Sequence, residues 1–180
     1  LNIEGFNMAV AIDEATSSLE QLEAATFVPK PADAFYNSGL AYYYDGQYQR
    51  AIEDWDEAIR LDPQYADAYF MRAYVYHDLG QYQLAIEDWD EAIRLDPDAI
   101  AYYNRARNYD NLGQSGRVLE DYDEAIRLDP QYATAYLGRG LAYAILGQYE
   151  RALEDYDEAI SLDPQDAIAY LARGIAYDNL

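Results

Sequence analysis

Ala51-Ile52-Glu53-Asp54-Trp55-Asp56-Glu57-Ala58-Ile59-Arg60-Leu61-Asp62-Pro63 reads as one amphipathic helix followed by its stop signal. Ala51, Ile52, Trp55, Ala58 and Ile59 fall at i, i+1, i+4, i+7 and i+8, a single stripe at the helical period. Pro63 then pushes Asp62 out of helical geometry. The same run returns with small changes from Ala85, Val118 and Ala152. Its closing Leu-Asp-Pro stands at Leu61, Leu95, Leu128 and Leu162, spaced 34, 33 and 34 residues apart, and Gly46, Gly80, Gly113 and Gly147 keep step with it. A repeat of this period decides the fold before anything else does.

Outward from that run, each unit carries a second stripe on its N-terminal side. In the first unit Phe35, Gly39 and Tyr42 share one helix face before Gly46 breaks the helix. Each unit is therefore expected to be an antiparallel helix hairpin. One hairpin cannot bury both its apolar faces, so neighbours must stack, and the expected product is an all-α, open α-solenoid rather than a globule.

The residues at these positions resemble the tetratricopeptide repeat (TPR) family, whose signature is W-x2-L-G-x2-Y, then A-x3-F, then P. The first unit supplies Phe35, Ser38, Gly39, Tyr42, Ala51, Trp55, Ala58 and Pro63; the second Tyr69, Arg72, Ala73, Tyr76, Ala85, Trp89, Ala92 and Pro97. The third supplies Tyr102, Arg105, Ala106, Tyr109, Val118, Tyr122, Ala125 and Pro130, and the fourth Tyr136, Arg139, Gly140, Tyr143, Ala152, Tyr156, Ala159 and Pro164. Tyr170, Arg173, Gly174 and Tyr177 open a fifth. The resemblance implies a right-handed superhelix of repeats at 32–65, 66–98, 99–132 and 133–166, with residues 167–180 as the first helix of a further unit. Residues 1–31 read as an N-terminal helical cap or degenerate half repeat. There Ser18, Leu19, Leu22, Ala25 and Val28 copy the spacing of the quoted run, and Phe6 to Ala15 reads as a shorter helix before it.

Three departures from the family pattern carry information. One residue is missing between Pro97 and Arg105, which should shorten that inter-repeat turn. Gln114-Ser115-Gly116 replaces the Gln47-Tyr48 type of turn, and Val118 replaces a small alanine, so the third unit is expected to be the softest. Lastly, arginine stands where the family usually has leucine, at Arg72, Arg105, Arg139 and Arg173. A half-buried guanidinium needs a carboxylate. Each of these arginines follows a helix bearing Glu-Asp-x-Asp-Glu, whereas the first unit, with no such helix before it, has Ser38. Structural ion pairs to the preceding helix are expected, with Asp54 or Asp56, Asp88 or Asp90, Asp121 or Asp123, and Asp155 or Asp157; the alternative is a ligand-binding row of arginines.

Composition narrows the function classes. The chain has 180 residues, 51% hydrophobic, with 34 Asp and Glu against 12 Lys and Arg and a formal net charge of -22. Such a field repels nucleic acid phosphates and anionic membranes. No stretch approaches the roughly 20 apolar residues of a membrane-spanning helix, so the chain reads as soluble, with a cytoplasmic setting favoured over others. Without cysteine there is no thiolate site, and with His77 as the single histidine there is neither a Ser-His-Asp triad nor a multi-histidine metal site. Lys30, the sole lysine, sits between two prolines and not in a phosphate-binding loop. Gly138-Arg139-Gly140 lacks the strand and third glycine of a dinucleotide fingerprint. The acidic runs lack EF-hand loop spacing, and Asp56 and Glu57 precede Arg60 at helix-pair spacing, so they read as a solvated face. No catalytic residue, metal or cofactor is expected.

Function beyond assembly then falls to the face of each first helix that packing leaves over. In the family this helix lines the concave groove where partner peptides bind. The stripe beside the packing one gives Tyr36, Leu40, Tyr43 and Tyr44, then Phe70, Tyr74, His77 and Asp78, then Tyr103, Arg107, Asp110 and Asn111, then Leu137, Leu141, Ala144 and Ile145. These vary between units while the packing residues do not. The basic clamp with which some family members grip a peptide C-terminus is not visible. A groove aromatic at one end and aliphatic at the other suits a peptide or protein segment with apolar anchors, including one whose basic residues answer the acidic field. The alternatives are groove tyrosines that merely pack on one another, a module that assembles with its own copies through the end helices, or the regulatory domain of a larger protein.

Overall fold

The computed structural model describes residues 30–180, and within them the chain is all-α. Nine helices follow one another there: α1 Pro31–Tyr44, α2 Tyr48–Leu61, α3 Ala66–Asp78, α4 Tyr82–Leu95, α5 Ala99–Asn111, α6 Ser115–Leu128, α7 Ala133–Ile145, α8 Tyr149–Leu162 and α9 Ala167–Tyr177. The cap expected over residues 1–31 lies almost wholly outside the described residues.

Local chemistry fixes both kinds of turn. The first helix of every hairpin ends in a Schellman motif: Gly46 has φ 73°, its N–H donates to the Tyr43 carbonyl, and the Gln47 N–H donates to the Tyr42 carbonyl at 2.8 Å. Gly80, Gly113 and Gly147 repeat it. At the other end, Leu-Asp-Pro closes the second helix by a side-chain turn in which Asp62 Oδ1 accepts the Gln64 N–H at 3.0 Å. Asp129 and Asp163 do the same for Gln131 and Gln165. The shortened junction is different: Asp98 follows Pro97 directly and caps α5, accepting from the Ile100 and Ala101 N–H groups at 2.9 and 3.2 Å.

Each helix packs on the next, most extensively within hairpins, and first helices of successive units also touch, as α3 does α5 and α7 does α9. The core is thus a chain of clusters and not one centre. Trp55, Trp89, Tyr122 and Tyr156 occupy the same buried position in the four units. Close approach there demands glycine in the first unit: a Cβ on Gly39 would stand 2.4 Å from Trp55 Nε1. The resulting architecture is an all-α helical repeat superhelix.

Candidate functional site

The arginines at the leucine-like position build a ladder along one side of the stack. Arg72 donates from Nε and Nη2 to both oxygens of Asp88, at 2.7 and 2.6 Å, and from Nη1 to Asp56. Arg105 holds Asp121 and Asp90, Arg139 holds Asp155 and Asp123, and Arg173 reaches Asp157. The preceding helix therefore supplies one partner, but the bidentate one comes from the following helix of the same unit, which the expectation of pairing to the preceding helix alone did not include. Spacing carried this signal: an aspartate stands sixteen residues on either side of Arg72 and Arg139. Only the inner aspartates are buried, with side-chain exposures of 8% for Asp88 against 54% for Asp56. Burial raises the carboxyl pKa of Asp88 and of Asp121, against the opposing pull of Arg72 and Arg105. Burial also opposes the charge on each arginine, yet the aspartate hydrogen bonds carry the Arg72 and Arg105 values up.

Tyrosine completes each rung. The Arg72 guanidinium lies 5.7 and 5.9 Å from the ring centres of Tyr69 and Tyr76, and Arg105 sits likewise between Tyr102 and Tyr109. Helical spacing of i−3 and i+4 puts both rings on the arginine's face. Several signature tyrosines are thereby accounted for as wall material for cations.

The stripe proposed for the groove is a mixture of packed and free side chains. Tyr43 is the hub of an aromatic cluster, its ring centre 5.4 Å from Tyr44, 5.8 Å from Tyr48 and 6.4 Å from Tyr74. Phe70 stands edge-on to Trp89 at 4.8 Å. Tyr36 packs on Tyr65 at 5.1 Å, and Tyr103 on Tyr132 at 5.2 Å with the Arg107 guanidinium 5.8 Å from its ring. Leu40 is half-buried against the first core cluster. Burial raises the hydroxyl pKa of Tyr36, Tyr43 and Tyr103, so these phenols stay neutral. His77 is tied down: its Nδ1 lies 3.0 Å from Oδ1 of the fully buried Asn108. Asn111 is exposed and donates to the Arg107 carbonyl in its own helix. Leu137 is 7% exposed, so it belongs to the core and offers no surface.

Asp78, Asp110 and Asn111 are exposed in the middle of the stripe, while its accessible apolar side chains concentrate at the two ends. Tyr44 is 82% exposed in α1, and in the later helices Leu141 (41%), Ile145 (73%), Leu171 (65%) and Ile175 (55%) form an apolar run. Between α7, α8 and α9, Leu141, Ala144, Tyr156, Leu171 and Ile175 help line a cleft of about 220 Å³. A second cleft, of about 350 Å³, opens across the first two units beside Tyr36 and Phe70. The sequence places Tyr65 and Tyr132 at repeat junctions without giving them a role, and it does not mark out the buried pair Asn104 and Asn108, whose side chains donate to carbonyls one turn back. The recurrence of Tyr65 at Tyr132, 67 residues or two repeats on, was the available signal for the former; an Asn inside a helix face gave none.

A model described as TPR repeat matches residues 39–80, 119–145 and 140–180, and one described as tetratricopeptide repeat matches 66–98. Among solved structures the chain is similar to MamA, at 27% identity over 83% of this chain and 82% of that one, with a TM-score of 0.79. The OM64 TPR domain of Arabidopsis aligns at 27% identity over 64% of this chain and 96% of its own, with a TM-score of 0.62. So does the first TPR of Spaghetti (RPAP3), bound to the HSP90 peptide SRMEEVD, at 27% identity, 65% and 94% coverage and a TM-score of 0.62. No curated protein matches the chain by sequence. With its family signature matched over more than half of its length and its helices stacked accordingly, the chain belongs to the tetratricopeptide repeat family.

Proposed function

We propose that this protein is a non-catalytic interaction scaffold that binds a peptide or protein segment along the first-helix face of the stack. The observation that carries this is the exposed apolar run on α7 and α9, where Leu141, Leu171 and Ile175 share a cleft and Ile145 stands exposed on α7. Apolar side chains arranged this way match the anchors of an extended or helical ligand. The similar RPAP3 domain holds a peptide, which supports the same use here. The test is selection of binders from a random dodecapeptide library, followed by calorimetry. Leu141→Asp, on an exposed position, is expected to weaken selected peptides by about tenfold or more with an unchanged circular dichroism melt. Unchanged affinity for all of them would count against the groove.

Self-association is the second reading, favoured by α9, where Ile168, Leu171, Ile175 and Tyr177 are each more than half exposed. A second copy stacking there would bury them. A single monomeric species across a sedimentation concentration series would remove this reading.

A further inference from the structure

The junction between the second and third units lacks a ring that two other junctions have. Tyr65 packs on Tyr36, and two periods later in the third unit Tyr132 packs on Tyr103, at centroid distances of 5.1 and 5.2 Å. The helix-capping position that Tyr65 and Tyr132 fill is held at the shortened junction by Asp98. Phe70, the counterpart of Tyr36 and Tyr103, therefore has no junction ring over it. The space left is the cleft of about 350 Å³ lined by Tyr36, Phe70, Met71, Asp67, Asp96 and Asp98 together with Ala66 and Ala92. That volume lies in the range of ligand pockets.

Its walls repeat a chemistry that the chain itself uses. Arg72 and Arg105 each lie between aromatic rings and are held by two aspartates. The cleft offers two aromatic rings and three aspartates, and no Lys, Arg or His lines it among the described residues. Asp98 gives its Oδ2 to the α5 cap, and its Oδ1 takes no part in that cap. Resting on the groove reading above, we propose that this cleft takes an arginine side chain of the bound partner segment. The stem lies on Phe70, Met71 and Tyr36, and the guanidinium bonds to Asp67, Asp96 and Asp98. A planar cation that stacks on rings and forks to carboxylates satisfies all of these walls at once, which an aliphatic or acidic side chain does not.

The experiment uses the same random dodecapeptide library on the full chain. Selected peptides are expected to carry arginine beside an apolar residue. Replacing that arginine by glutamine should weaken binding about tenfold or more, and replacing it by lysine should weaken it less. The double change Asp67→Asn and Asp96→Asn, at exposed positions outside the arginine ladder, should give the same loss without altering the melt. Asp98→Tyr, which restores a ring to the junction, should abolish the arginine preference while leaving apolar-anchored peptides bound. Peptides that lack arginine, or that bind the aspartate variants unchanged while losing affinity to Leu141→Asp, would overturn the arginine cleft and leave the groove standing. A library yielding no binder would overturn both.

Discussion

The Arg105 guanidinium meets the Asp121 carboxylate edge to edge, with Nε 2.8 Å from Oδ2 and Nη2 2.7 Å from Oδ1. Its remaining arm reaches Asp90 on the preceding helix, so one side chain ties a hairpin internally and to its neighbour. The two ties differ in depth: the Asp121 side chain is 7% exposed and that of Asp90 52%. Removing one partner of a buried pair strands a charge, whereas an exposed pair is screened by water. Asp121→Ala is expected to lower unfolding free energy by about 3 kcal/mol or more. Asp90→Ala should cost no more than about 1 kcal/mol. Urea denaturation of both variants checks the ordering, and equal losses would contradict it.

Gly39 lies against the Trp55 indole so closely that an added Cβ would meet the ring at 2.4 to 2.8 Å. The indole also donates to the Tyr36 carbonyl at 3.3 Å, which fixes its position. Gly39→Ala should therefore destabilise by about 1–3 kcal/mol, although alanine is the better helix former. A thermal melt of this variant at or above the parent's would show that the first hairpin can open to accept the methyl group.

Acidification should stabilise the stack before it harms it. Because burial raises the Asp88 and Asp121 carboxyl values, the folded protein keeps protons at pH values where the unfolded chain has released them. Their contribution is fully present below the ordinary aspartate value and is lost as pH rises through the raised folded values. Relief of the net charge of -22 acts in the same direction. The melting temperature at low salt is expected to be higher at pH 5 than at pH 7, and a lower value at pH 5 would contradict this account.

The third hairpin turn should open before the others. Tyr43 packs on Tyr48, and His77 on Tyr82, across the first two turns. Ser115 has no ring to offer at the matching place, and residues 110–117 are all exposed. Amide hydrogen exchange is expected to be fastest, among these turns, around the start of α6. Uniform protection across the turns would remove the third unit's status as the soft one.

How much could be read in advance differs from residue to residue. The Leu-Asp-Pro recurrence announced the helix ends because the proline and the aspartate side chain act within three residues. The glycine at each hairpin likewise needs only its own φ. The arginines announced a need for carboxylates, since a guanidinium beside a packing stripe must be paired, but not which of two aspartates it would grip twice. Asp121 and Asp123 differ by two positions in one acidic run, and the helix rotation within the packed hairpin sends the first inward and the second out.

The groove stripe shows the same division more sharply. Period and pattern put Leu137 and Leu141 one turn apart on a single face, yet one is in the core and the other open. Tyr44 and Tyr43 are neighbours in sequence, one 82% exposed and the other the hub of a ring cluster. The hairpin, its period and the family are legible in the order of residues alone, because those follow from local backbone chemistry and a repeated apolar stripe. Tertiary structure alone decided which aspartate is buried, which tyrosines are walls and where a missing junction ring leaves a cleft, because those depend on how one unit's surface meets the next.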